Sequence, residues 1–267
     1  MVAVNYNTRD LVARLVFSLS RVLEPGLVSR IVIVDNRSDD GSAPLLDGLA
    51  DRGLIDVVHN HRHPYHGPGL NRGLSFLARE QRSTPDPVDA VWILDSDVVV
   101  LRPDALAASL AVLQGRHAAL LGQEQDYDQI RPRLARYAHP SALLVDPAIV
   151  WRHRIPAFLE DGAPAVMMQY VLRKRGRLLV DYPYFADGAL LHLGGGTLGA
   201  LVRDGKLDNR YFEWGTVYGK AHFHGNPDGP ARFQDFDERF RSEVGELTVA
   251  SLEHACRHGV RLDFSAV

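Results

Sequence analysis

Apolar residues along the chain fall into short, β-branched runs separated by segments of helical period. Residues 2–6 form an apolar run that reads as a buried strand. Asn7-Thr8-Arg9-Asp10 follows as a turn in which Asn7 or Thr8 can cap a helix. Leu11, Leu15, Val16 and Leu19 then recur at helical spacing until Pro25-Gly26 closes the segment. A second strand over residues 31–34 runs into Asp35. A polar loop comes next, with Gly41 placed for a positive φ, then a helix over 43–52 and a strand over 55–58. An irregular stretch rich in His, Pro and Gly, residues 59–69, precedes a helix over 70–81. A loop with two prolines, 83–89, leads to a fourth strand, 90–94, that ends in Asp95-Ser96-Asp97. The spacing predicts a further helix over 103–113, with Pro103 near its first turn.

Strand and helix alternate through this half, which predicts a mostly parallel sheet covered on both faces. Right-handed crossovers put the C-terminal ends of such strands on one edge, where open α/β sheets bind ligands. Asn5, Asp35, Asp95 and Asp97 all fall on that edge. Beyond residue 113 the pattern loosens. Strands are expected over 118–122, 142–145, 178–180 and 190–193, and helices over 165–174 and 247–257. Residues 196–229 form an aromatic and Gly-rich run between them. The expected organisation is one catalytic domain over 1–200, with halves near 1–100 and 101–200, and an extension over 201–267 packed on the same domain.

The 267 residues carry a formal net charge of -3, with 46% hydrophobic and 24% charged residues. With a pI near 6.4 there is no global positive field to attract nucleic acid, and no nucleic-acid partner is expected. The single cysteine, Cys256, forbids an intrachain disulfide and fits a reducing, cytoplasmic setting with a buried structural thiol. No basic leader segment and no run of about 20 apolar residues is visible. A transmembrane segment is therefore not expected, while peripheral contact at the inner face of a membrane stays open.

The sharpest chemical feature is the pair Asp95 and Asp97 at the end of an apolar strand. Two carboxylates there are costly unless a cation pairs with them, and hard oxygen donors suit Mn²⁺ or Mg²⁺ bridging to phosphate oxygens. Two capping acids in a strand-to-helix loop are the plainer reading of the pair.

Five segments, in order, give this chain its resemblance to family-2 glycosyltransferases of the GT-A fold. They are VAVNYNTR at 2–9, IVIVDNRSDDGS at 31–42, NHRHPYHGPGLNRG at 60–73, the D-x-D at Asp95 and Asp97, and HLGGGT at 192–197. The resemblance implies a Rossmann-like central sheet flanked by helices and transfer, with inversion, from a UDP-, GDP- or dTDP-sugar. The acceptor, whether carbohydrate, lipid-linked or natural product, is left open. It implies that Asp35 bonds the nucleobase, that Asn5 and Asn7 sit beside the nucleoside, and that Asp95, with Ser96, lies at the ribose or a metal-bound water. Asp97 and His192 become protein ligands of Mn²⁺ or Mg²⁺, with Asp95 beside them, and His222 or His224 competes for the second position. Asn71 and Arg72 fall in the donor loop, Arg72 within reach of the diphosphate. An inverting transfer needs a base, and the resemblance points to Asp161, with Glu160 as the alternative, ahead of the helix over 165–174.

Other features carry less. His59, His61, His63 and His66 form a cluster that zinc would suit, but no Cys accompanies it and Pro64 and Gly67 break it, so a donor-side loop is the better reading. Tyr211, Phe212, Trp214, Tyr218 and Phe223 are core or acceptor-stacking aromatics. Gly194-Gly195-Gly196 lacks the spacing of a phosphate-binding P-loop. Two other enzyme readings stand beside the transferase. An aspartyl-nucleophile phosphatase would use Asp95 to attack phosphorus, but its motif belongs after the first strand and here follows the fourth. A nucleotidylyltransferase would need a Gly-rich basic first loop, which Asn5-Tyr6-Asn7-Thr8-Arg9 does not supply. A homologue that binds the donor without turning it over is the remaining alternative.

Overall fold

The computed structural model describes residues 1–61, 65–81, 88–126, 136–152, 158–159, 164–193 and 228–264. The first half follows the alternation read from the sequence: β1 (Val2–Asn5), α1 (Arg9–Arg21), β2 (Val32–Asp35), α2 (Ser42–Asp51), β3 (Asp56–His59), α3 (His66–Gln81) and β4 (Val91–Leu94). A short strand, β5 (Val98–Val100), comes directly after the Asp95–Asp97 turn, where the sequence showed no separate element. Then follow α4 (Ala105–Gly115), β6 (Leu120–Asp126), β7 (Arg136–Val145), α5 (Pro147–Arg152), α6 (Val166–Lys174), β8 (Leu179–Asp181) and β9 (Leu190–His192). The chain closes with α7 (Gly229–Val244) and α8 (Val249–His258).

Seven strands form one sheet in the order β3-β2-β1-β4-β7-β6-β8, and β5 pairs with β9 in a separate two-stranded ribbon. β3, β2, β1 and β4 are mutually parallel, as are β6 and β8, while β7 runs antiparallel to both β4 and β6. The sheet is thus mostly parallel and flanked by helices. The antiparallel β7 departs from the simple alternation, which had already weakened after residue 113.

Alternating side chains sort the two faces, as the period of a strand requires. Val2, Val4, Val32, Val34, Val91 and Ile93 join a core with Leu70, Leu74 and Leu77 of α3 and with Met168 and Leu172 of α6. Ala3, Ile33, Trp92 and Leu94 face the other way into a core shared with α1 and with the C-terminal helices. On the first face α3 lies close to the strands because glycine allows it. A Cβ on Gly73 would sit 2.7 Å from Val2, and one on Gly69 would sit 2.9 Å from Val4 and from the Asn36 amide. α3 begins at His66, earlier than the helical period of the sequence suggested, because His66-Gly67-Pro68-Gly69 reads as a loop yet packs as a first turn.

The extension beyond 227 builds on α1. Phe17 meets the rings of Phe236 and Phe240 edge-on, at 5.9 and 5.4 Å between centroids. Arg14 pairs with Asp237 at 2.6 Å, and the buried Arg21 guanidinium bonds Glu243 and the Ala255 carbonyl. α7 was not expected from the sequence, because its apolar stripe of Phe233, Phe236, Phe240 and Val244 is diluted by charge. α8 starts on a capping box between Thr248 and Ser251. Cys256 is buried, and burial pushes its thiol up to about 11, which keeps it protonated and unreactive.

Phe236→Ala removes a fully buried ring between α1 and α7. We expect a loss of about 3–5 kcal/mol in urea unfolding; a midpoint unchanged from wild type would show that α7 contributes nothing to the fold.

Candidate functional site

Three strand ends and the turns behind them carry the polar residues of the site. Leu94 pairs with Ala142 of β7, and the chain turns at once, with the Asp95 carbonyl accepting from Val98 N–H at 3.1 Å. The Asp95 N–H donates to the Ser141 carbonyl at 3.0 Å. β5 then leaves the main sheet to pair with β9, in a register that sets Val98 opposite His192. Leu193 N–H donates to the Asp97 carbonyl at 2.9 Å. This ribbon carries His192 from a distant part of the chain to the carboxylate pair.

His192 Nε2 lies 3.0 Å from Asp97 Oδ1 and 3.5 Å from Asp95 Oδ2. One donor atom from each of Asp95, Asp97 and His192 falls within 4.8 Å of the others, the one such group among the described residues. Asp97 and His192 are buried, and Asp95 is largely so. Burial alone would lower the His192 pKa, but Asp97 and then Asp95 outweigh it and push the imidazole up to about 10. Burial likewise would raise Asp95, yet His66 and then His192 hold it well below the usual carboxylate range. Both effects describe carboxylates that demand positive charge. Two carboxylate oxygens and one imidazole nitrogen, converging in a buried turn, fit a divalent cation such as Mn²⁺ or Mg²⁺, which would compete with the proton for His192.

Two residues that the sequence reading did not place at the centre are there. His66, in the first turn of α3, brings Nε2 to 3.2 Å from Asp95 Oδ1. His139, on β7, lies with its ring 6.5 Å from that of His192. Its Nδ1 accepts from Ser141 N–H at 3.2 Å, which puts the ring proton on Nε2. Burial, with His192 and His66 adding to it, lowers its pKa to about 4, so His139 is a neutral neighbour. The signal for His139 was a polar His-Pro-Ser step at the head of an apolar strand, but only the antiparallel pairing of β7 with β4 brings it to Asp95.

The nucleoside-side candidates form a closed polar lattice. Asn5 Nδ2 donates to Asp35 Oδ1 and to Ser38 Oγ, both at 2.9 Å. Thr8 Oγ1 donates to Asn5 Oδ1 at 2.7 Å, so the 3.0 Å contact with Ser96 is a bond in which Ser96 donates to Thr8. Asp35 Oδ2 accepts from Ser38 N–H at 3.2 Å. Asn7, at φ 50, exchanges two bonds with Asp39, through Nδ2 at 2.7 Å and Oδ1 at 2.8 Å. The loops after β1, β2 and β4 are therefore joined side chain to side chain. Gly41 takes the positive φ expected of it, at 86°.

Asn71 and Arg72 are placed elsewhere. Asn71 donates to the Phe158 carbonyl at 2.7 Å and accepts from Phe158 N–H at 3.0 Å, so its amide pins a backbone segment. Arg72 is exposed on α3, and no contact among the described residues ties it to the Asp95–Asp97 turn. Of the described histidines of this cluster, His59 bonds Asp47 at 2.8 Å and stacks on His61, while His66 reaches Asp95. Asp161, Glu160, His63, His222, His224, Gly194–Gly196 and the aromatic residues 211–223 lie outside the described residues.

A mostly parallel sheet flanked by helices, with a carboxylate pair after its central strand, defines a GT-A nucleotide-diphospho-sugar transferase fold. The chain belongs to glycosyl transferase family 2, whose profile matches residues 1–172. A search of curated proteins found no match. Among solved structures the chain is similar to the mannosyltransferase PcManGT from Pyrobaculum calidifontis, in complex with GDP-Man and Mn2+. Identity is 16%, with 94% of this chain and 77% of that one covered and a TM-score of 0.54. It is also similar to TarS 1–349 from S. aureus, at 15% identity over 67% of this chain and 57% of that one, TM-score 0.49. A third is glucosyl-3-phosphoglycerate synthase from Mycobacterium tuberculosis, at 16% identity over 65% of each chain, TM-score 0.45. The chain spans 57% of the shorter TarS structure and 32% of the longer one.

Asn71→Ala breaks both bonds to Phe158 and leaves that backbone unpaired. A stability loss of about 1–3 kcal/mol is expected with nucleotide-sugar affinity retained. A variant that unfolds like wild type but binds donor weakly would return Asn71 to the donor site.

Proposed function

We propose that the chain transfers a sugar from a nucleoside-diphosphate sugar to an acceptor hydroxyl, with inversion at the anomeric carbon and a divalent cation, Mn²⁺ or Mg²⁺. The observation that carries this reading is the convergence of Asp95, Asp97 and His192 within 4.8 Å at the C-terminal edge of the sheet. These three residues would hold the metal, Asp97 and His192 through atoms already 3.0 Å apart. The bound cation supplies Lewis-acid neutralisation of the charge that develops on the departing nucleoside diphosphate.

The chain's own residues do the rest. Asp35, fixed by Asn5 and Ser38, faces the nucleobase, and Asn7 shapes the loop beside it. Ser96, held by Thr8, sets Asp95 toward the ribose. The lattice orders these groups before a donor arrives, so little reorganisation is needed when it binds. Asp161, with Glu160 as the alternative, takes the proton from the acceptor hydroxyl as it attacks the anomeric carbon. The GDP-Man and Mn2+ of the similar mannosyltransferase fit the same donor and metal class. Catalysis resides in residues 1–200, with 201–267 as a supporting extension and the protein at the inner face of a membrane or in the cytoplasm.

Thermal-shift titration with UDP-, GDP- and dTDP-sugars, each with Mn²⁺, Mg²⁺ or chelator, tests the donor site. One nucleoside series should raise the melting temperature only with metal, and no shift with any donor would remove the transferase reading. Asp97→Ala should lower kcat/KM at least about a hundredfold and abolish the metal-dependent part of the shift; wild-type turnover in that variant would sink the metal assignment.

Asp161→Asn separates binding from chemistry. Donor affinity should persist while transfer falls by about 10²–10⁴-fold. Undiminished transfer would place the base on another residue.

A further inference from the structure

We infer that the outward face of α6, with the turn that follows it, docks on an anionic membrane surface. α6 divides sharply. Met168, Gln169 and Leu172 are buried against the sheet, whereas Met167, Tyr170, Arg173 and Lys174 are exposed. Exposure continues without a break through Arg175, Gly176, Arg177 and Leu178, where Gly176 at φ 65 turns the chain toward β8. Residues 166–178 hold four cationic side chains and no acid, in a chain whose net charge is -3; Arg173 is paired with Glu124 at 2.6 Å, so the local positive surplus is that of Lys174, Arg175 and Arg177. Of the five large hydrophobic side chains left exposed among the described residues, three are here: Met167 at 43%, Tyr170 at 45% and Leu178 at 40%.

Both halves of this composition point to one occupant. The cations meet lipid phosphates, and the charge is local, so it operates although the whole protein is acidic. The apolar side chains gain nothing from a nucleic-acid backbone, but they are stabilised by entering the headgroup boundary of a bilayer, where tyrosine in particular is at home. Lys174 stands 5.6 Å over the Tyr170 ring, so charge and aromatic surface are presented together. No helix among the described residues is long and apolar enough to cross a membrane, and this face attaches without crossing.

The face also communicates with the site. Gln169 clamps Ala138 from behind, accepting from its N–H at 2.8 Å and donating to its carbonyl at 2.6 Å. The next residue, His139, packs beside His192. A membrane under α6 would therefore support the strand that backs the metal cluster. The inference deepens the peripheral-membrane part of the proposed function, and its test uses no sugar donor, so either can fail without the other.

The test is sedimentation of the full chain with vesicles of phosphatidylcholine alone and of equal parts phosphatidylcholine and phosphatidylglycerol. Binding is expected only to the second, and added salt should weaken it. The double variant Lys174→Glu/Arg177→Glu should lose at least about tenfold in vesicle affinity, since each basic side chain near an anionic surface is worth about a fivefold factor. Met167→Ser/Tyr170→Ser should weaken it separately. Circular dichroism and donor thermal shift should stay at wild-type values, because none of the four residues touches the site. The proposal is overturned if wild type ignores the anionic vesicles, if both variants bind them undiminished, or if a single-stranded RNA oligomer binds this face more tightly than the vesicles do.

Discussion

The constraint on which the site depends is the burial of two carboxylates, Asp95 and Asp97, directly beyond a strand with no exposed residue. Such a pair is tolerated only beside positive charge. Much of the local architecture serves to supply it. β5 leaves the main sheet, and its pairing with β9 sets His192 against both carboxylates. The first turn of α3 adds His66. The raised His192, driven first by Asp97, and the lowered Asp95, driven first by His66, both report a demand for positive charge that a divalent cation would meet. A proton and such a cation would be alternatives at the one His192 nitrogen.

That constraint also explains which parts of the site were legible in the sequence. Asp95 and Asp97 stood out because acids seldom follow a buried run such as Val91-Trp92-Ile93-Leu94. β1, β2 and β4 were visible for a related reason: buried on both faces, they read as unbroken apolar runs. β5 was not separable, since three valines after a turn carry no periodicity of their own. His66 and His139 were hidden for different reasons. His66 lies in a segment whose glycines and proline suggest a loop, although Gly69 there lets α3 settle on Val4, as Gly73 further along lets it settle on Val2 and Val34. His139 is near Asp95 only through the antiparallel direction of β7, which alternation of strands and helices does not predict. The bonds of Asn71 to the Phe158 backbone were hidden by its neighbours in the motif, because a short polar side chain there can pin backbone as readily as it binds a ligand. α7 was missed because its apolar stripe is narrow within a charged segment, and only Phe17 shows what that stripe is for.

The polar lattice at the ends of β1, β2 and β4 is built on a different principle. Asn5, Thr8, Asp35, Ser38 and Ser96 are joined by short bonds in which nearly every proton has one destination. A network satisfied in this way is rigid, and it costs stability if a single member is removed. It also ties three loops that the sheet alone would leave independent. Asn36 extends the lattice toward α3, accepting from Asn60 at 2.7 Å and donating to the Tyr65 carbonyl at 3.0 Å. Order at the strand ends is therefore a property of the folded chain and precedes any ligand.

Helix α1 connects this lattice to the distant C-terminal segment. At its start Thr8 holds Ser96, and near its end Ser18 Oγ accepts from Val100 N–H at 3.1 Å. The segment from Ser96 to Val100, which contains Asp97, is thus held at both ends by one helix. α1 in turn is clasped by α7 and α8 through Phe236, Phe240 and the buried Arg21. Loosening that clasp lets α1 shift, and a shift of α1 moves the segment that carries Asp97 and, through the β5–β9 pairing, His192 relative to Asp95, which is held by Ser141 of β7. The 3.5 Å between His192 Nε2 and Asp95 Oδ2 leaves little room for such movement. The C-terminal helices, though remote from the carboxylates, are for that reason part of what keeps Asp95, Asp97 and His192 in register.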